Sequence, residues 1–147
     1  MARAIDPHFD GSERLFRSVS ADHVVEGQIL PSAVEMPQCS FNRQKYAAEP
    51  TSVFVASRPR DNGVVALAAG NLPDPVPRQP KPPETTLVPL EFYVIDQPEE
   101  TNDAHAEVRV RPVGSAGSAN YKIKDKALKL KAQEALARKL TLLIPPT

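Results

Sequence analysis

The sequence predicts an α+β fold, a small antiparallel sheet packed with a C-terminal amphipathic helix. Three observations carry this. Short runs of strand-forming residues occupy roughly the first three quarters of the chain, the clearest helical pattern comes last, and no internal repeat or strand–helix alternation of a parallel sheet is visible.

The elements follow in order. Residues 1–12 are polar, hold Pro7, Gly11 and Ser12, and have no periodicity, so they are expected as a flexible leader. The remainder, 13–147, is expected to be one domain, because 147 residues are too few to divide between two well-filled cores. Leu15–Val19 is a β-compatible run, and Asp22–Val25 is another that ends at Gly27, a natural turn. Ile29–Val34 is apolar but interrupted by Pro31 and reads as a loop crossing the core. Residues 49–56 fit a short helix with Pro50 at its first position and a strand of β-branched residues equally well. Val64–Ala69, between Asn62-Gly63 and Gly70-Asn71, has the length of a buried strand.

Eight of the sixteen prolines lie between Asn71 and Glu100, most of them in a proline-rich excursion at 73–83. Such density excludes helix and central strand and suits a polyproline II surface segment. Leu90–Ile95 and His105–Val110 then form a predicted antiparallel hairpin. In its second strand Val108 and Val110 face one side, and Glu107, Arg109 and Arg111 the other. The segment 114–120 is a linker by composition, and Lys122 to about Leu143 is the predicted helix. Its stripe joins Ile123, Ala127 and Leu130 with Leu128, Ala132, Leu136, Leu140 and Leu143, and Pro145 ends it.

Composition limits function. Apolar residues are 41% and charged residues 24%, which fits neither a disordered chain nor a membrane protein. Lys plus Arg and Asp plus Glu are 18 each, so no global field draws nucleic acid or anionic lipid. The single Cys39 makes no internal disulfide, and no apolar run approaches a membrane span, so a cytoplasmic setting is expected. No phosphate-binding glycine loop, zinc-binding His or Cys pair, or nucleophile elbow occurs.

The remaining candidates rest on local pattern. His8, His23 and His105 lack metal-ligand spacing, so neither a metal nor another cofactor is expected. Cys39 reads as a small buried residue rather than a nucleophile. Gly114-Ser-Ala-Gly117 has the G-x-x-G spacing of phosphate-clamping loops, and residues 121–147 carry seven basic and two acidic groups. Lys122, Lys124, Lys126 and Lys129 are the candidate nucleic-acid contacts, although zero net charge disfavours that class. Pro77, Pro80, Pro82 and Pro83 are the candidate partner-binding residues, since proline-rich segments and amphipathic helices are elements that other proteins bind.

Three segments, Leu15-Phe16-Arg17, Ser40-Phe41-Asn42-Arg43 and Asn102-Asp103-Ala104-His105-Ala106-Glu107, resemble landmarks of small bacterial proteins without assigned activity. The same order is also similar to the Arg-Ser-Glu layout of ADP-ribosyltransferases. That resemblance implies that Arg17 and Ser40 hold a nicotinamide cofactor and that Glu107 stabilises the oxocarbenium. The Ser-Thr-Ser and Glu-x-Glu patterns of that family are missing, and Arg109 stands where the second acid would be. The leading expectation is therefore a non-catalytic accessory or protein-interaction module of the bacterial cytoplasm. NAD-dependent ADP-ribosyl transfer and nucleic-acid binding are its alternatives.

Overall fold

The computed structural model describes residues 2–79, 87–115 and 121–147. Among these residues eight strands and one helix follow in chain order: β1 (Arg14–Val19), β2 (Val24–Val25), β3 (Gln28–Ile29), β4 (Gln38–Arg43), β5 (Gly63–Ala68), β6 (Leu90–Asp96), β7 (His105–Pro112), α1 (Lys126–Ala137) and β8 (Thr141–Ile144). Single 3-10 turns lie at Ala21–His23, Pro31–Ala33 and Pro50–Val53. Six strands form one sheet in the order β6-β7-β4-β1-β5-β8, with every neighbouring pair antiparallel. The α+β class is as the sequence predicts.

Alternation along the strands builds two unequal faces. On one, Leu15, Val19, Cys39, Phe41, Val65, Leu67, Val108 and Val110 join Ala132, Leu136 and Leu140 in the main core. On the other, Phe16, Val64 and Ala66 form a small cluster with Val53, Leu143 and Ile144. The β6–β7 hairpin has the expected alternation, with Ala106, Val108 and Val110 buried and the residues between them half-buried. The turn between β2 and β3 puts Glu26 (φ 52) and Gly27 (φ 76) in the left-handed region, as a tight hairpin of this hand requires. Residues 49–56 resolve as the 3-10 turn Pro50–Val53, between the two conformations that the sequence leaves open.

The structure corrects three expectations. The helix is shorter than Lys122–Leu143. Asp125 is its cap, accepting from the Ala127 and Leu128 amides (2.9 and 3.4 Å), so it starts at Lys126. Beyond Ala137 the chain turns into β8, because Thr141–Ile144 covers the otherwise open edge of β5. Leu143 therefore packs with Phe16 on the second face, and Leu130, placed in the stripe by periodicity, is 47% exposed.

The second correction is β4, a central strand absent from the sequence reading. Its core-facing residues are Cys39, Phe41 and Arg43, and an arginine at a core position hides the alternation. Arg43 is fully buried and uses all five donors. Nε and Nη2 grip Glu13 (both 2.8 Å), Nη1 meets Asp96 (3.1 Å), and the carbonyls of Asp6 and His8 accept at 2.9 and 2.7 Å.

The third concerns residues 2–12, expected as a flexible leader. They have no regular secondary structure, but they are strapped to the sheet. Arg3 forks onto Asp96 (2.6 and 2.7 Å) over the Tyr46 ring, and Phe9 stacks on the Arg43 guanidinium at 3.8 Å. Pro80, Pro82 and Pro83 of the proline-rich excursion, and Gly117 of the G-x-x-G match, lie outside the described residues. No helix among the described residues is long and apolar enough to cross a membrane.

Candidate active site

The face of the sheet opposite α1 is covered by the Pro50–Val53 turn near β1, β5 and the Asn42 end of β4. Over β4 and β7 it carries polar side chains in two rows across the strands. One row runs Phe16, Asn42, His105, and the next runs Ser40, Glu107, Ile95. Strand β1 pairs with β4 only at Leu15–Arg43 and Phe16–Asn42, and beyond Phe16 the two strands part. A cleft of about 640 Å³ lies here, lined by Arg17, Ser40, His105 and Glu107 among others.

Arg17 bridges the parted strands. Its Nε donates to the Ala33 carbonyl (2.8 Å) and its Nη1 to the Ser40 carbonyl (3.0 Å), so two of its three nitrogens hold backbone. Ser40 is exposed, and its hydroxyl lies 3.2 Å from His105 Nε2. On the other side of the ring, Nδ1 lies 2.9 Å from the Gln97 carbonyl. A carbonyl only accepts, so in the neutral ring Nδ1 carries the hydrogen and Nε2 accepts the hydrogen bond that the Ser40 hydroxyl donates. Glu99 approaches Nδ1 at 3.6 Å, and Glu107 approaches Nε2 at 3.8 Å. Glu107 is itself gripped by Arg109 at 2.6 and 2.8 Å.

Two asparagines hold the walls. Asn42 donates to the Ser52 hydroxyl (3.3 Å) in the 3-10 turn and accepts from Asn102 (2.8 Å) in the β6–β7 loop. These contacts tie the loop carrying Gln97 and Glu99 to β4, and so fix the distance between Ser40 and the ring.

The candidates named from sequence distribute as follows. Arg17, Ser40 and Glu107, far apart in the chain, share this cleft. His105 was legible only as an isolated histidine. Its link to Ser40 had one signal, a position two residues from Glu107 on the same strand face. Cys39, one residue from Ser40, points into the opposite core, where burial pushes its thiol pKa up. Pro77 and the lysines Lys122 and Lys124 meet elsewhere, in a groove of about 350 Å³ floored by Leu87, Tyr121 and Leu128. Lys126 and Lys129 are exposed on the first turns of α1. Among the described residues, no group of three or more His, Cys, Asp and Glu side chains is placed to hold a metal ion.

No protein-family model matches the chain, and comparisons with curated proteins and with solved structures find no match either.

Proposed function

We propose that this protein works through the cleft over β4 and β7, binding a polar, hydroxyl-rich small molecule of nucleoside or sugar size. The observation that carries this is the convergence of Arg17, Ser40, His105 and Glu107 from three distant segments on one concavity. The volume of about 640 Å³ is that of a small-molecule site. Its lining includes four carboxylates, Glu35, Asp61, Glu99 and Glu107, against two arginines, Arg17 and Arg58. Such a surface favours ligands that donate hydrogen bonds over those that carry phosphate. The sequence favoured a non-catalytic interaction module because no convergent titratable cluster was legible; this cleft supplies one. A cytoplasmic setting remains part of the reading, on the strength of the single cysteine.

The ADP-ribosyl transfer alternative fits these residues poorly. Arg109 binds Glu107 where the family has its second acid, and Arg17 spends Nε and Nη1 on backbone carbonyls instead of offering them to a pyrophosphate. Nuclear magnetic resonance titration with nucleosides, sugars and NAD tests the reading. Amide signals of Ser40, His105 and Glu107 should move with a hydroxyl-rich ligand, and Glu107→Gln should weaken binding roughly tenfold, the loss of about one charge-assisted hydrogen bond. Signals that move only around the Pro77 groove would refute it.

That groove supports a second reading, a docking site for an acidic segment of a partner protein. Lys122, Lys124, Lys131 and Arg78 line it, and among the described residues its one acid, Asp125, is turned to the helix cap. An acidic peptide whose binding is lost in Lys124→Glu would favour that partner.

A further inference from the structure

We propose that Ser40 is a nucleophile with His105 as its general base, giving the cleft an ester-hydrolysing activity. This rests on the cleft being the working site, and it adds a reaction to it. Three features of an activated hydroxyl stand together. Ser40 is solvent-exposed, its Oγ lies 3.2 Å from His105 Nε2, and the far nitrogen of the ring is fixed at 2.9 Å on the Gln97 carbonyl. A serine is a weak nucleophile unless a base takes its proton, and the base works only when its free nitrogen is aimed at the hydroxyl. The Gln97 carbonyl does this by holding the hydrogen on Nδ1.

The surrounding charges suit the step. His105 becomes an imidazolium as it takes the proton, and Glu107 at 3.8 Å and Glu99 at 3.6 Å place negative charge beside it. Arg17 donates from Nη1 to the backbone carbonyl of Ser40, which puts a positive charge beside the residue that carries the attacking hydroxyl. In the reaction, Ser40 Oγ bonds to the ester carbonyl carbon, the carbonyl electron pair moves to oxygen, and Nε2 takes the hydroxyl proton. Collapse breaks the bond to the leaving oxygen, which receives that proton as an alcohol. A water molecule then attacks the acyl-serine, giving its proton to His105. The carboxylic acid leaves, and Ser40 regains its hydrogen, so ester and water yield acid and alcohol.

Full-length protein is incubated with a fluorophosphonate, with the modified residue mapped by mass spectrometry, and with p-nitrophenyl acetate. The fluorophosphonate should phosphonylate Ser40, and Ser40→Ala and His105→Ala should each lower the rate of ester hydrolysis above the buffer background by at least about a hundredfold. Thermal melts check that the variants fold; should His105→Ala melt early, His105→Gln replaces it. Labelling at another residue, or a folded Ser40→Ala that keeps its rate, overturns the proposal. In that case ligand titration of Ser40→Ala still reports on the cleft, because binding retained without turnover removes the chemistry alone. Labelling at Ser40 without binding of any hydroxyl-rich ligand removes the ligand class alone.

Discussion

Replacing Arg43 by Met should remove a large part of the molecule's stability, and the structure says which residue bears the loss. Methionine fills much of the same volume but satisfies none of five acceptor contacts. Asp96 keeps the Arg3 fork and the Asp6 amide (2.7 Å). Glu13, 8% exposed, loses both of its guanidinium contacts and is left as a buried, unpaired charge. Breaking a buried pair in this way costs about 3–5 kcal/mol, roughly a fifth or more of a typical net stability of ~5–15 kcal/mol. At roughly 2–4 °C per kcal/mol for a chain of this size, the melting temperature should fall by about 6–20 °C. Adding Glu13→Gln should recover part of the loss, since a neutral amide is cheaper to bury than an orphaned carboxylate. Urea unfolding of the single and double variants measures both terms. An Arg43→Met protein within about 1 kcal/mol of the parent, or a double variant no better than the single, would refute this assignment.

Other consequences are equally direct. Leu136→Ala, at a fully buried position of α1, should cost about 2–5 kcal/mol by urea unfolding, while Leu130→Ala on the same helix should stay within ~0.5 kcal/mol. Lys45 and the Tyr46 hydroxyl hold the Asp6 carboxyl well below the ordinary carboxylate value. Burial pushes Asp96 up, but the Arg3 fork, the Asp6 amide and Arg43 outweigh it, so its pKa is lowered too. Both acids are thus depressed in the folded state, and their stabilisation is complete above about pH 4 and lost as pH falls further through their folded values. Amide exchange of Asp6, His8 and Phe9 should accelerate only in that acid window, and release above pH ~5 would contradict the sign. Cys39 should resist a thiol reagent until urea unfolds the core, and rapid reaction under native conditions would contradict its burial.

The hairpin and β5 were legible because their apolar residues alternate or cluster between turn signals. Strand β4 was not, since its pattern runs Cys39, Phe41, Arg43, and only the distant acids Glu13 and Asp96 make the last of these a core residue. The helix end was misplaced for a related reason. Leu140 and Leu143 fit a helical stripe, yet the open edge of β5 offers Thr141–Ile144 a better partner than another helical turn. At the site, the residue types were visible and their pairing was not. Ser40 and His105 meet through the registers of β4 on β7 and the asparagine contacts, and local periodicity carries neither.

The strand order has a kinetic consequence. In the large sheet β6 and β7 are joined by a short loop, whereas β4 with β7, β1 with β4, β1 with β5 and β5 with β8 all pair across longer stretches of chain. A sheet of this kind cannot zip up from successive hairpins, and its refolding belongs in the slow range, roughly milliseconds to seconds. Within that sheet the β6–β7 ribbon is the pair that local closure can form early, and it carries His105 and Glu107 but not Ser40. Docking of β4 onto that ribbon creates the serine–histidine contact and the central pairing together. Recovery of Ser40 reactivity after dilution from urea would therefore report the rate of the long-range step.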